Sequence, residues 1–233
     1  MSGIADNVRF IRDRIAAAAL ACGRQPEEIT LVAVSKNFPA ECIHAALAAG
    51  QFHFGENRVQ EAESKIPGFP ATPGLHWHMI GHLQSNKAQR AAELFEVIHS
   101  VDSIKLARRL SQAAVSLGKI LSILIQVDLG HEETKFGAER REAADITSAV
   151  LNLPGLRLDG LMTIPPFFEE RNHARPYFAA LRELSRSLAG EMPGCLGRGH
   201  LSMGMSHDFE VAIQEGATIV RIGTAIFGER SHG

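Results

Sequence analysis

Along nearly the whole chain, short runs of β-branched and aliphatic residues alternate with stretches whose apolar residues recur every three or four positions. That alternation is the sequence mark of βαβ units and a parallel sheet. Eight strands are predicted, at 29–35, 52–54, 76–80, 97–100, 120–128, 156–162, 200–203 and 218–222. The stretches between them carry helix punctuation. Pro39 suits a first helical position, Ile43 and Leu47 share a face, and Gly50 can close the end. Ser103 can cap a helix bearing Ile104, Ala107, Leu110 and Ala114, which Gly118 ends. Pro176 precedes Phe178, Leu181, Leu184 and Leu188, again at helical spacing. One more helix opens the chain, with Ile4, Val8, Ile11 and Ile15 on one stripe, and is expected to cover the closed end of a barrel.

Eight such units in 233 residues, 45% of them hydrophobic, predict a single α/β domain over residues 1–233. The expected fold is a minimal (β/α)8 barrel of the TIM type, with the extra N-terminal helix. An open doubly wound sheet would favour a glycine-rich turn after the first strand. Here that strand runs into Val34-Ser35-Lys36-Asn37. The charged residues are interspersed and sum to −2, which offers neither a nucleic-acid stripe nor a membrane patch. Cys22, Cys42 and Cys195 are scattered and odd in number, as expected of a reducing compartment. There is no signal-like leader and no apolar run long enough to span a bilayer, so a soluble, cytoplasmic protein is expected.

In such barrels chemistry gathers at the C-terminal ends of the strands. Lys36 stands there directly after an apolar run. A low-dielectric rim disfavours the ammonium form and frees the amine as a nucleophile, although many strand-end lysines merely lay their stems on the rim. Ser206 ends Ser202-Met203-Gly204-Met205-Ser206 after strand seven, placed to cap the helix carrying Phe209 and Ile213. Gly223 and Thr224 open the turn after strand eight. Barrels often hold phosphate at these two turns, but glycine and serine are also ordinary turn residues. Arg221 lies among apolar neighbours and must find an acceptor, either in a structural ion pair or on a ligand. His76, His78 and His82 lack the partners of a tetrahedral set, so no metal is expected. Met162, Met203 and Met205 read most simply as core filling.

Several long motifs together resemble one family. They are residues 31–37 (LVAVSKN), 54–61 (FGENRVQE), 77–87 (WHMIGHLQSNK), 99–103 (HSVDS), 160–166 (GLMTIPP), 201–206 (LSMGMS) and 216–228 (GATIVRIGTAIFG). The chain is similar, over essentially its whole length, to the YggS/PROSC family of pyridoxal phosphate homeostasis proteins. The resemblance implies a fold like the barrel of alanine racemase, without that enzyme's second domain. It implies pyridoxal 5'-phosphate held on Lys36 as a covalent aldimine, with Arg221 facing the pyridine nitrogen. Ser206, Gly223 and Thr224 would hold the phosphate, and Asn57, Met203 and Met162 would line the pocket. No catalytic residue is implied.

An arginine there opposes protonation of the ring nitrogen, so a substrate carbanion should be poorly stabilised. Racemisation also needs an acid or base on each face of the substrate carbon, and the only tyrosine, Tyr177, lies on a predicted outer helix. The expected role is storage, buffering or delivery of the cofactor by a monomer, with pyridoxal phosphate-dependent apo-enzymes as partners. A weak racemase or aldolase is the alternative, and a Schiff-base aldolase without the cofactor a third. Lys87 and Lys135 would be the next lysines to carry an adduct.

Overall fold

The computed structural model describes residues 3–69, 72–130 and 136–228. Eight parallel strands close on themselves: β1 (Thr30–Val34), β2 (His53–Glu56), β3 (His76–Met79), β4 (Val97–Val101), β5 (Leu121–Asp128), β7 (Leu156–Met162), β8 (His200–Ser202) and β9 (Ile219–Ile222). Closure is shown by two pairings. First and last strands pair in the register Val32↔Arg221, and β4 pairs with β5 in the register Val97↔Ser122. The predicted barrel is thus the observed one. Strand β7 keeps its predicted bounds.

Two differences go beyond a single residue at a strand end. β2 runs past Phe54 through Gly55 and Glu56, which pair with His78 and Met79. Glycine and glutamate are poor strand formers. Here a buried carboxylate network outweighs propensity. A two-residue strand, β6 (Ala138–Glu139), also lies beside the end of β5, with Val127↔Ala138.

The outer layer comprises α1 (Ile4–Ala21), α2 (Ala40–Ala48), α3 (Val59–Lys65), α4 (Ala88–Leu94), α5 (Ile104–Ser116), α6 (Ala143–Leu151), α7 (Arg175–Glu191), α8 (Phe209–Gln214) and α9 (Thr224–Phe227). Ser103 caps α5 as expected, its hydroxyl accepting from the Leu106 amide at 3.3 Å. Pro39 stands just before α2 as its N-cap. The opening helix departs from its expected place. α1 packs against α2, α8 and α9 along the barrel flank. Asn7 Nδ2 donates to the Ile226 carbonyl beyond β9, while Arg24, just past α1, donates to the Ala217 carbonyl before β9. The helix therefore runs the length of the β1–β9 seam. The physical reason is α9, whose four residues are too few to cover that seam.

Almost all buried apolar residues fill the space between strands and helices. Inside the barrel only Val32, Leu124, Met162 and Ile219 form an apolar cluster. Beside that cluster runs a row of buried polar side chains, Arg221, Ser202, His99 and His78, and there the candidate site begins.

Candidate functional site

Lys36 is half-buried, two residues beyond the end of β1, in a turn whose next residue, Asn37, has φ 64°. Asparagine tolerates that left-handed conformation better than most residues. The turn is clamped from α3. Lys65 Nζ donates to the Ser35 carbonyl at 2.7 Å, to Glu56 Oε1 at 2.9 Å and to Glu61 Oε1 at 2.6 Å. Ser35 Oγ donates to the same Glu56 oxygen at 2.7 Å, and the Asn37 amide donates to Glu61. Ser35 thus faces the helices, and Lys36 follows it in the turn at the C-terminal end of β1. Burial pushes the Glu56 carboxyl up from its ordinary value, against the pull of Ser35 and Lys65.

Arg221 sits on β9, next to β1, and is 3% exposed. Its Nη1 donates to Ser202 Oγ at 2.6 Å and its Nη2 to the Thr163 carbonyl at 3.0 Å. No carboxylate among the described residues forms an ion pair with it. Burial lowers its pKa to about 10, with the charge of Asp208 acting in the opposite direction. A guanidinium has five N–H donors, so donors remain for a group in the barrel mouth.

The turns after β8 and β9 meet. The Gly223 amide donates to Ser206 Oγ at 3.3 Å, and a Cβ on Gly223 would touch the Val34 side chain at 3.4 Å. Gly204 makes the first turn possible: φ is 91°, and a Cβ there would stand 2.6 Å from that of Ala212. The sequence places Ser206 as the cap of α8. The structure gives that place to Asp208, whose Oδ1 accepts from the Met205 amide at 2.7 Å. Ser206 instead ties the two turns together. Thr224 is exposed at the start of α9.

Asn57 follows β2 and is half-buried; Gly81 packs so closely on it that a Cβ would come 2.3 Å from the Asn57 carbonyl oxygen. Met162 belongs to the cluster inside the barrel. Met203 is fully buried in the layer between strands and helices, because Ser202 takes the axial position and its neighbour must turn outward. Lys87 borders a cleft with Asn57 and His82, and Lys135 lies outside the described residues. Tyr177 is on α7 in the outer layer, its ring against Phe168 at 5.7 Å.

Sequence reasoning missed Ser202, His99 and His53, and set His78 aside with the metal question. All four are axial. The available signal was parity: residues 53, 78 and 99 are those that strand alternation turns inward. Among the described residues no cluster of three or more His, Cys, Asp or Glu is arranged to hold a metal ion. No helix among them is long and apolar enough to cross a membrane.

The fold and this ring of strand-end residues define a barrel of the alanine racemase N-terminal type. The profile of the family described as alanine racemase, N-terminal domain, matches residues 4–231. An alanine racemase from Clostridium difficile 630 superposes with a TM-score of 0.72 at 18% identity, covering 97% of this chain and 57% of the racemase; at that identity the likeness concerns the fold alone. The PipY protein of Synechococcus elongatus PCC7942 is 42% identical over 94% of this chain and 100% of its own. It superposes with a TM-score of 0.83 without PLP and 0.82 with PLP bound. The pyridoxal phosphate homeostasis protein of Escherichia coli K12 is 45% identical over 234 residues, 100% of this chain and 99% of that protein. Its Pseudomonas aeruginosa PAO1 counterpart is 46% identical over 100% of this chain and 98% of its own. The chain belongs to the family of pyridoxal phosphate homeostasis proteins.

Proposed function

We propose that this chain, as a single barrel domain, binds pyridoxal 5'-phosphate on Lys36 and serves intracellular homeostasis of that cofactor without efficient amino-acid turnover. The observation that carries the reading is the β1–β9 seam. Through the Val32↔Arg221 register it brings the turn bearing Lys36 beside the strand bearing Arg221 and the turn bearing Gly223. An amine, a buried cation with donors to spare and a pair of glycine-bearing turns fit the aldehyde, ring nitrogen and phosphate of one small molecule. The names of the relatives and the PLP-bound PipY structure support the same reading.

Bound there, the cofactor would supply a reactive aldehyde and an electron-withdrawing ring. Lys36 would be the residue that anchors it covalently, and another amine could take the place of Lys36 while the phosphate contacts persist. Ser206, Gly223 and Thr224 offer two hydroxyls and backbone amides to the phosphate, with Asn57 and Met162 as walls. Arg221 would donate to the ring nitrogen and, as a cation, would oppose its protonation. That weakens the electron sink on which racemisation and aldol cleavage depend, and favours storage and delivery to apo-enzymes over turnover. A cytoplasmic monomer is the form in which we expect it to act.

The test is reduction of the loaded protein with borohydride, followed by peptide mass spectrometry. The phosphopyridoxyl mass should lie on Lys36, and Lys36→Ala should lose the adduct while keeping weak, phosphate-dependent binding. An adduct of equal yield on Lys87 or Lys135 in that variant sinks the assignment. Sustained α-proton exchange on amino acids by the parent protein would overturn the non-catalytic reading.

A further inference from the structure

Behind Arg221 the barrel axis carries a row of polar side chains, where barrels of this size usually stack branched aliphatic layers. Ser202 Oγ, which accepts from Arg221, lies 2.9 Å from His99 Nδ1. His99 Nε2 lies 2.9 Å from His78 Nδ1, and His78 Nε2 lies 3.0 Å from His53 Nδ1. Five strands contribute one residue each: β9, β8, β4, β3 and β2. Ser202, His99 and His78 are buried. His53 is half-buried, with the His76 ring stacked on it at 4.8 Å. It borders a cleft of ≈ 810 Å³ at the N-terminal ends of the strands, whose rim includes Arg12, Asp13 and Glu27.

We propose that His78 and His99 are positioning residues for Arg221: with Ser202 and His53 they form an uncharged hydrogen-bond chain of one direction, which holds the guanidinium without neutralising it. This rests on the reading above, in which Arg221 faces the ring of the cofactor. The direction follows from donor arithmetic. Arginine can only donate, and a hydroxyl that accepts from a cation becomes the better donor. The Ser202 proton therefore goes to His99 Nδ1, which makes His99 the Nε2–H tautomer. That proton meets His78 Nδ1 and imposes the same tautomer there, and His53 follows. Burial holds His78 and His99 well below the ordinary histidine range and His53 at about 4, so all three rings are neutral near pH 7.

A carboxylate at position 202 would satisfy the same guanidinium donor, but it would also cancel the charge. The neutral chain satisfies the donor and leaves the positive charge directed at the mouth. Because each ring has one donor and one acceptor, breaking any link disturbs the tautomer of the next. An effect on Arg221 should therefore reach it from His78, which does not touch it.

Two measurements test this. In the apo-protein, imidazole ¹⁵N NMR should show Nε2–H tautomers for His53, His78 and His99; Nδ1–H or mixed tautomers at His78 and His99 would overturn the chain. In the loaded protein, the pH titration of the visible band reports on the ring nitrogen. A nitrogen freed from a fixed cation can take a proton and draw electrons from the lysine link, which lowers the midpoint. Ser202→Ala, which removes a single oxygen atom, should lower it by about one pH unit, the size of one charge-assisted hydrogen bond. His78→Phe should lower it in the same direction by less, and Ser202→Thr should restore it. Unchanged midpoints in Ser202→Ala and His78→Phe, with the cofactor still on Lys36, would refute the positioning role. A parent protein that takes no cofactor on Lys36 would instead refute the underlying reading, and the NMR arm would still decide the chain.

Discussion

Lys65 illustrates how much can rest on one side chain. Its side chain is 9% exposed, and its ammonium meets Glu56, whose side chain is fully buried, as well as Glu61. Removing one partner of a buried pair strands the other charge in a medium that solvates it poorly. Lys65→Met should therefore cost about 3–5 kcal/mol in chemical denaturation, and should also slow reaction of Lys36 with an aldehyde, because the Ser35 carbonyl loses its anchor. Adding Glu56→Gln should recover much of the stability, since the amide needs no counter-charge. A double variant no more stable than Lys65→Met would show that the cost lies elsewhere. None of this was legible in the sequence. Lys65 reads as a helix-end lysine, and only the fold brings Glu56 and Ser35 to it. Lys36 and Arg221 stood out as candidates, because an isolated charge within or directly after an apolar strand is visible in one dimension.

At the level of elements, long apolar strands declared themselves, as β7 and β5 did. Short ones built from Gly, Glu and His did so only in part: β2 was predicted, but not its extension through Gly55 and Glu56, whose place in the sheet depends on tertiary hydrogen bonds. The placement of α1 was beyond the sequence for a different reason. An amphipathic stripe says that a face is buried, not against what. The cap of α8 was misread because serine and aspartate are both good N-caps, and the choice between Ser206 and Asp208 depends on the neighbouring β9 turn. In the turn after β8 a single methyl group matters. Gly204→Ala forces a side chain into a left-handed backbone and onto α8. Thermal unfolding should show a loss of about 1–3 kcal/mol, with phosphate-dependent binding falling in parallel. Wild-type stability and binding would contradict the packing described for Gly204.

Across the whole molecule, the polar axis gives stability a pH dependence of definite sign. His53, His78, His99 and His200 all have folded-state values depressed by burial. Their contribution is complete above the unfolded histidine value of 6.5 and is lost as pH falls toward the folded values, about 4 for His53. Glu56 and Asp208, raised by burial, work the other way and favour the acid side. With four histidines against two carboxylates, the melting temperature should be flat above about pH 7 and should fall between pH 6.5 and 4. His78→Phe should flatten that slope. A melting temperature that rises on acidification through this window would contradict the neutral state of the axis.

The closure of β1 against β9 has a further consequence, for biosynthesis. The barrel's first strand leaves the ribosome long before its last, so a partly made chain holds Lys36 with no Arg221 beside it. An exposed amine on such a fragment has no partner turn to retain a phosphate. On the function proposed above, retention of the cofactor would await the final strand, because only then does β9 pair with β1.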